Sequence, residues 1–302
     1  MFSIAQLQQF SGIKAHTIRI WEQRYKALTP NRTAGNTRYY DHSQFRRLLN
    51  IASLLDSEYK VSELCTMSDE QLFAILDKRL QASRLKDQDA EYFVSQLIGS
   101  GMSFDERQFE KIFNAAISRF GLLNAYVNVI YPMFVRIGLM WANNSYPQSQ
   151  EHFVSNLVRR KMFAAIEAMP VAAPDAPSWI LFLPENEFHE IGLLFAYYII
   201  RDSGAQVTYL GNNVPFESLT NTIDQLKPNH LLFFLVHLHE KEEVQHYLTT
   251  LRKRVGPVQM HLSGNPSLLG DLKLDEKMHW LRSAEDLVEV TQKGSQSKSK
   301  KN

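Results

Sequence analysis

Three groups of residues in this chain have the types and spacing to do chemistry. In the first, Glu187-Phe188-His189-Glu190-Ile191-Gly192, a carboxylate stands two residues before a histidine, just ahead of a helical pattern. A carboxylate that accepts a ring N–H holds an imidazole in one tautomer and makes its other nitrogen a better metal donor. Alone, the pattern more often marks an ordinary capping or surface histidine. The second group is Trp141 followed ten residues later by Glu151-His152, at the end of one helical stretch and the start of the next. Taken by itself it reads as a core tryptophan and a solvated pair. In the third, Lys14, His16, Thr17, Arg19, Gln23 and Arg24 share a helical segment, and Asn36-Thr37-Arg38-Tyr39-Tyr40 follows soon after. Such donors reach phosphates and base edges.

The elements that must position these groups are readable from their periodicity. Ser3 is a plausible N-cap for a helix that puts Ile4 and Leu7 on one face, and Ser11-Gly12 suits the corner between two helices. The next helix has an apolar stripe of Ile13, Ile18, Trp21 and Tyr25 opposite its donors, and a basic hairpin comes after it. Residues 42–80 continue this head with helical spacing, and residues 81–88 read as a linker. Residues 89–169 form a bundle of about four helices, with one stripe through Phe109, Ile112, Phe113 and Phe120 and another through Tyr126, Val129, Met133 and Ile137. Pro170 to Pro177 is a rigid connector. The period then changes. Short apolar runs at Trp179–Leu183, Gln206–Leu210, His230–Val236, Val258–Leu262 and His279–Leu281 alternate with helical patterns, which predicts a doubly wound, Rossmann-like α/β domain over 178–292 with a parallel sheet. Ligands of such sheets bind beyond the carboxyl ends of the strands, where the Glu187–His189 loop falls. Residues 293–302 are expected to be a disordered basic tail.

Charge separates the head from the rest. Residues 1–60 carry nine Lys or Arg against four acids, while the whole chain of 302 residues is only +1, so nucleic acid should meet the head alone. No run of about 18 apolar residues exists and the first 30 residues lack a signal-type segment, so a cytoplasmic protein without a membrane partner is expected. The single Cys65 has no disulfide partner and reads as a small packed residue. No nucleophile-base spacing singles out a catalytic triad, and the chain is read as a non-enzyme.

The stretch Thr17-Ile18-Arg19 to Tyr25, with Pro30 and the Arg38-Tyr39-Tyr40-Asp41 hairpin end, resembles the winged helix-turn-helix of MerR-superfamily transcription regulators over roughly the first 70 residues. The resemblance implies that the second helix enters the major groove of double-stranded operator DNA and the wing follows its backbone. Arg19, Trp21, Arg38 and Tyr39 are the positions carried over, with Lys14, His16, Thr17 and Arg24 beside them. One head buries little surface, so a homo-oligomer, dimer or tetramer, is expected. The lone cysteine argues against the metal-sensing branch, whose effector site needs clustered thiolates.

Bundle, connector and Glu187-x-His189-x-x-Gly192 together resemble cobalamin-binding modules. With the head in front, the chain resembles the CarH/LitR-type adenosylcobalamin-dependent photoreceptor repressors. The resemblance implies His189 as the lower cobalt ligand, Glu187 as its carboxylate, and Gly192, Ser263 and Gly264 beside the buried nucleotide tail. It also implies Trp141, Glu151 and His152 over the upper face, where the adenosyl group sits. The sequence departs from that pattern in places. Glu187 replaces an aspartate, Leu235-Val236-His237-Leu238-His239 offers no serine after the third strand, Ser263-Gly264 keeps one glycine of a pair, and Ala142 stands where the photoreceptors have a cobalt-capturing histidine. Two other readings follow from the same residues: an effector domain without cofactor that works through protein contacts, and a corrinoid carrier of the methyltransferase kind. The DNA-binding head and the lack of a barrel or other substrate domain weigh against the carrier.

Overall fold

The computed structural model describes residues 2–32, 36–52, 54–55, 58–72, 74–75, 86–142, 148–236, 241–270 and 272–299. They form two compact units, Met1–Val154 and Ser155–Asn302.

The first unit opens with α1 (Ile4–Ser11), held by a capping box. The Ser3 hydroxyl accepts from the Gln6 amide and the Gln6 side chain accepts from the Ser3 amide, which satisfies two otherwise orphaned donors. Gly12, at φ +72°, ends the helix in the left-handed conformation that lets the chain turn into α2 (Ala15–Tyr25). Strands β1 (Asn31–Arg32) and β2 (Arg38–Tyr39) pair antiparallel as the wing. Helix α3 (His42–Ala52) buries Phe45, Leu48, Leu49 and Ile51, and Phe2 stacks on Phe45 with centroids 4.6 Å apart. The short α4 (Val61–Thr66) buries Leu64 and Cys65.

The bundle follows as α5 (Lys86–Met102), α6 (Glu106–Ala125), a π-helical turn (Tyr126–Ile130), α7 (Tyr131–Ala142) and α8 (Gln148–Glu167). Among the described residues these make up the expected bundle of about four helices. Lys86 to Gln88, assigned to the linker, are the first turn of α5 instead. The apolar stripe through Tyr92, Phe93 and Leu97 nucleates a helix, and extending it backwards by a few polar residues costs little. By length and composition, Glu106–Gly138 is apolar enough to cross a membrane. It is interrupted at Gly121, where φ is +73°, and one face of it is buried through Phe109, Phe113, Ile130 and Met133. The head does not hang free of the bundle. Gln96 of α5 donates to Asn50 of α3 at 2.6 Å, with both side chains buried.

In the second unit five parallel strands lie in the order β4-β3-β5-β6-β7: β3 (Ser178–Pro184), β4 (Gln206–Val214), β5 (His230–Leu235), β6 (Gln259–Gly264) and β7 (Met278–Trp280). Central strands of a parallel sheet are covered on both faces, which is why β3 reads as a continuous apolar run and is buried from Trp179 to Pro184. Helix α9 (Glu190–Asp202) packs on one face. On the other, α10 (Phe216–Leu226) and α11 (Lys241–Val255) meet Ile180, Phe182, Leu231, Phe233 and Leu235 in the main core. A four-residue α12 (Pro266–Leu269) and α13 (Ala284–Ser299) complete the unit, with α13 beside α9. Helix α13 corrects the expected tail: Lys293 to Ser299 are helical, because a helix already seeded by packed residues such as Leu287 propagates through Gln, Ser and Lys at small cost.

Across β3, β5, β6 and β7 runs a ladder of rings. Trp179 stacks on His230 at 4.2 Å, His230 Nδ1 and His261 Nε2 are 3.1 Å apart, and the His261 and His279 rings lie 5.2 Å apart. Burial, reinforced by the neighbouring imidazoles, holds His230 down to about 4 and His261 down to about 3. Unfolded, both take a proton near pH 6.5, so the folded state binds fewer protons below that value. The stability they contribute is whole above pH 6.5 and is lost as the pH falls towards 4. Denaturant unfolding between pH 7 and pH 5 should show a loss of roughly 1 kcal/mol per pH unit for each histidine. His261→Leu should flatten that slope by about half, and an unchanged slope would remove the pair as its source.

Candidate functional site

Helix α2 presents its donors as its amphipathic pattern requires. Lys14, His16, Arg19, Gln23 and Arg24 are exposed and Thr17 is half-buried, while Ile18 and Trp21 are turned into the head's core. Trp21, at 7% exposure, lies with Ile18 on the expected apolar stripe, so its ring supports the helix from inside while Arg19 stays exposed. The wing is fastened to the same helix. Tyr40 donates to Glu22, and Arg38 Nε lies 3.4 Å from the other Glu22 oxygen, so the Arg38 guanidinium is half-buried against an internal carboxylate. Burial and the Glu22 carboxylate push the Tyr40 hydroxyl well above the usual phenol range. Tyr39 is half-buried beside Arg38 on β2.

One cation of the basic surplus belongs to the interior. Arg47 donates through Nε to the Ala27 carbonyl at 2.7 Å and through Nη2 to the carbonyls of Cys65 and Met67 at 2.8 and 2.7 Å, and it pairs with Asp69 at 2.6 Å. It closes α3 onto the exit of α2 and the end of α4. Cys65 beside it is buried, which raises its thiol to about 11 and leaves it protonated.

In the second unit the decisive group is the Glu187 carboxylate, buried to 1% exposure at the end of β3. Its Oε1 accepts from the amides of Phe188 (3.0 Å) and His189 (3.2 Å) and from His189 Nδ1 (2.5 Å). Its Oε2 accepts from the Val236 amide at 2.8 Å, beyond the end of β5. Strands β3 and β5 are where the strand order reverses, so Glu187 ties together the two loops that flank the topological switch point. His189 occupies the N-cap position of α9 with its side chain 53% exposed. Donation from Nδ1 leaves the neutral ring's lone pair on Nε2.

The residues around this pair are held by packing. A Cβ on Gly192 would come within 2.9 Å of the Phe234 ring, so this glycine makes room for a side chain of β5. A Cβ on Gly264, where φ is +143°, would lie 2.2 Å from the Leu235 carbonyl oxygen, so the ends of β5 and β6 close on each other there. Ser263 donates its hydroxyl to the Leu281 carbonyl at 2.9 Å, a structural bond. Ser263 and Gly264 therefore have structural roles at the end of the sheet.

Glu190, next to His189, accepts from Arg159 Nε at 2.8 Å and from the Tyr209 hydroxyl at 2.9 Å. Asn213 accepts from the Asn186 amide at 2.9 Å, and its own amide donates to the Glu187 carbonyl at 3.2 Å. The sequence reading missed Arg159, Glu190, Tyr209 and Asn213. Only Asn212-Asn213 after a strand carried a local signal, since Asn tolerates the left-handed backbone that turns use. In the first unit Glu151 and His152 pair at 3.1 Å in the first turn of α8, with His152 exposed. Trp141 and Ala142 end α7, and their side chains, like residues 237–240, lie outside the described residues.

Comparison with known proteins gives these sites a context. Residues 2–71 match the family model described as "MerR HTH family regulatory protein", and residues 94–165 match "B12 binding domain". The HTH-type transcriptional repressor CarH of Myxococcus xanthus is 29% identical over 249 residues, covering 81% of this chain and 82% of that protein. The HTH-type transcriptional repressor CarA of the same organism is 23% identical over 263 residues, covering 86% and 85%. Among solved structures, the Methanosarcina barkeri monomethylamine corrinoid protein superposes with a TM-score of 0.52 at 12% identity, over 69% of this chain and 99% of that one, a likeness of fold alone. The chain thus joins a head that matches the MerR HTH family to a helical segment that matches a B12 binding domain, and it is similar to CarH over most of both lengths.

Proposed function

We propose that the protein is a transcription regulator whose hold on operator DNA is set by cobalamin, bound in its adenosyl form, with His189 as the lower axial ligand. The observation that carries the reading is the His189–Glu187 pair. A half-exposed imidazole is locked in one tautomer by a buried carboxylate, at the carboxyl edge of the sheet where ligands of this fold sit. Among the described residues no three His, Cys, Asp or Glu gather as a metal site. A single imidazole suits a metal that arrives with its own equatorial ligands, so the donor set fits a corrin.

When bound, the cofactor supplies a cobalt–carbon bond that light can break. The chain's own part is to orient and to shield. Glu187 fixes the ring and raises the basicity of Nε2, and Trp141, Glu151 and His152 are proposed to line the upper face. Ala142 has no donor atom, so no imidazole stands at that position to take up an exposed cobalt. Gly192, with Ser263 and Gly264, is proposed to shape the tail's surroundings. The chain acts as a regulator rather than an enzyme, and its relatives are repressors. Its partners are double-stranded operator DNA and further copies of itself, which fits a cytoplasmic location.

Lys14, His16, Thr17, Arg19 and Arg24 of α2 are proposed to meet the DNA groove, with Arg38 and Tyr39 following the backbone from the wing. Arg19 is the cleanest probe, because it is exposed, whereas Arg38 also holds Glu22. Arg19→Ala should weaken binding to operator DNA and reduce the slope of log affinity against log salt by about one. Fluorescence anisotropy across a salt series measures both, and an unchanged affinity and slope would remove α2 from the interface.

For the cofactor, the absorbance of protein titrated with adenosylcobalamin in the dark is the test. Wild type should retain the corrinoid with an imidazole-ligated spectrum. His189→Ala should lose that spectrum and most of the affinity, and Glu187→Gln should lose on the order of tenfold to a hundredfold in affinity. A wild type that retains no corrinoid at excess ligand would leave the sheet module as a cofactor-free effector domain.

A further inference from the structure

Strand β4 reaches the axial-ligand loop on both sides of His189. Its Tyr209 hydroxyl donates to Glu190 at 2.9 Å, one residue after the histidine. At its end, the Asn213 side-chain oxygen accepts from the Asn186 amide at 2.9 Å, and the Asn213 amide donates to the Glu187 carbonyl at 3.2 Å. The register between β3 and β4 shifts twice over this stretch, after Leu181 and after Phe182, and those shifts let β4 run on to Val214 alongside the loop.

Two demands meet at Asn213. Its φ of +52° is a left-handed conformation that a β-carbon resists and that Asn and Gly accept most readily. It must also supply an acceptor to the amide of Asn186, itself at φ +66°, in a bond at the exposed edge of the sheet that holds the loop to the strand. Glycine meets only the first demand. Aspartate meets both. A bond made by the side chain of Asn213 thus holds the Glu185–Asn186 peptide, one residue ahead of Glu187, and through it the loop whose carboxylate fixes the ring.

Resting on the reading of His189 as the cobalt ligand, we propose that Asn213 is a positioning residue for that ligand: its carboxamide sets the loop so that the Glu187-bound imidazole stands at the height and angle that axial ligation needs. The role is distinct from that of Glu187. Glu187 chooses the tautomer and basicity of the ring, and Asn213 places the backbone from which both side chains spring. A displaced loop should therefore weaken ligation while the sheet stays folded, because Asn213 lies at the strand's exposed end.

The test uses the full chain and hydroxocobalamin as probe, with wild type, His189→Ala, Asn213→Gly and Asn213→Asp measured side by side. Absorbance reads axial ligation and affinity, and thermal melting of the cofactor-free proteins reads the fold. Asn213→Gly should bind about tenfold more weakly, with part of the imidazole-ligated spectrum lost and the melting of the cofactor-free form unchanged. Asn213→Asp should recover most of both. If Asn213→Gly matches wild type in spectrum and affinity, the proposal is wrong. It is equally wrong if Asn213→Asp, folded, is as impaired as Asn213→Gly, since the acceptor is then not what matters. A wild type without any spectrum that depends on His189 instead overturns the reading beneath it.

Discussion

A carboxylate buried to 1% exposure is the constraint around which the sheet module's functional edge is arranged. Removing a carboxylate from water without partners costs several kcal/mol, so Glu187 is tolerable only because four N–H groups converge on its two oxygens. Three of those donors belong to its own loop and to His189. The fourth, the Val236 amide, comes from the neighbouring strand's exit and pins two loops together. Meeting the carboxylate's demand also orients the histidine, so a group that satisfies a fold requirement also fixes the imidazole proposed as the cobalt ligand. Glu187, where the resembled pattern has aspartate, makes all of these contacts.

The head is governed by a similar economy of charge. Glu22 collects Tyr40 and Arg38 and so fixes the wing to the helix that carries the exposed donors. Arg47 collects three carbonyls and a carboxylate and fixes α3 to the ends of α2 and α4. The cations left to meet phosphate are consequently fewer than the count of basic residues suggests. The buried Asn50–Gln96 pair then joins α3 to the first bundle helix. A buried polar pair of this kind is satisfied only when its partners meet, so it specifies how α3 seats on that helix.

The architecture was legible in the sequence because its signals are local and periodic. The switch from helical spacing to short apolar runs after Pro177 located the parallel sheet, and Glu187-x-His189 at the end of the first run marked its edge. What stayed hidden depends on partners far along the chain. Arg47 looks like any surface cation until Ala27 and Met67 are seen to present carbonyls to it. That Gly264 has the Leu235 carbonyl in the place of a side chain shows only once β5 and β6 are paired. The reach of α5 back to Lys86 and of α13 to Ser299 escaped notice because polar helix ends have no periodicity of their own.

Ligation at one end of the chain and DNA binding at the other are a single property only if they share a free energy. Coupling of that kind is typically worth 1–3 kcal/mol, about 5- to 150-fold in affinity. The most direct measurement is the affinity of the full-length protein for its operator DNA at fixed salt, without cofactor and with saturating adenosylcobalamin in the dark, for wild type and for His189→Ala. The account predicts a change of at least fivefold in wild type on adding the cofactor and none in the variant. Equal affinities in wild type with and without the cofactor would contradict it.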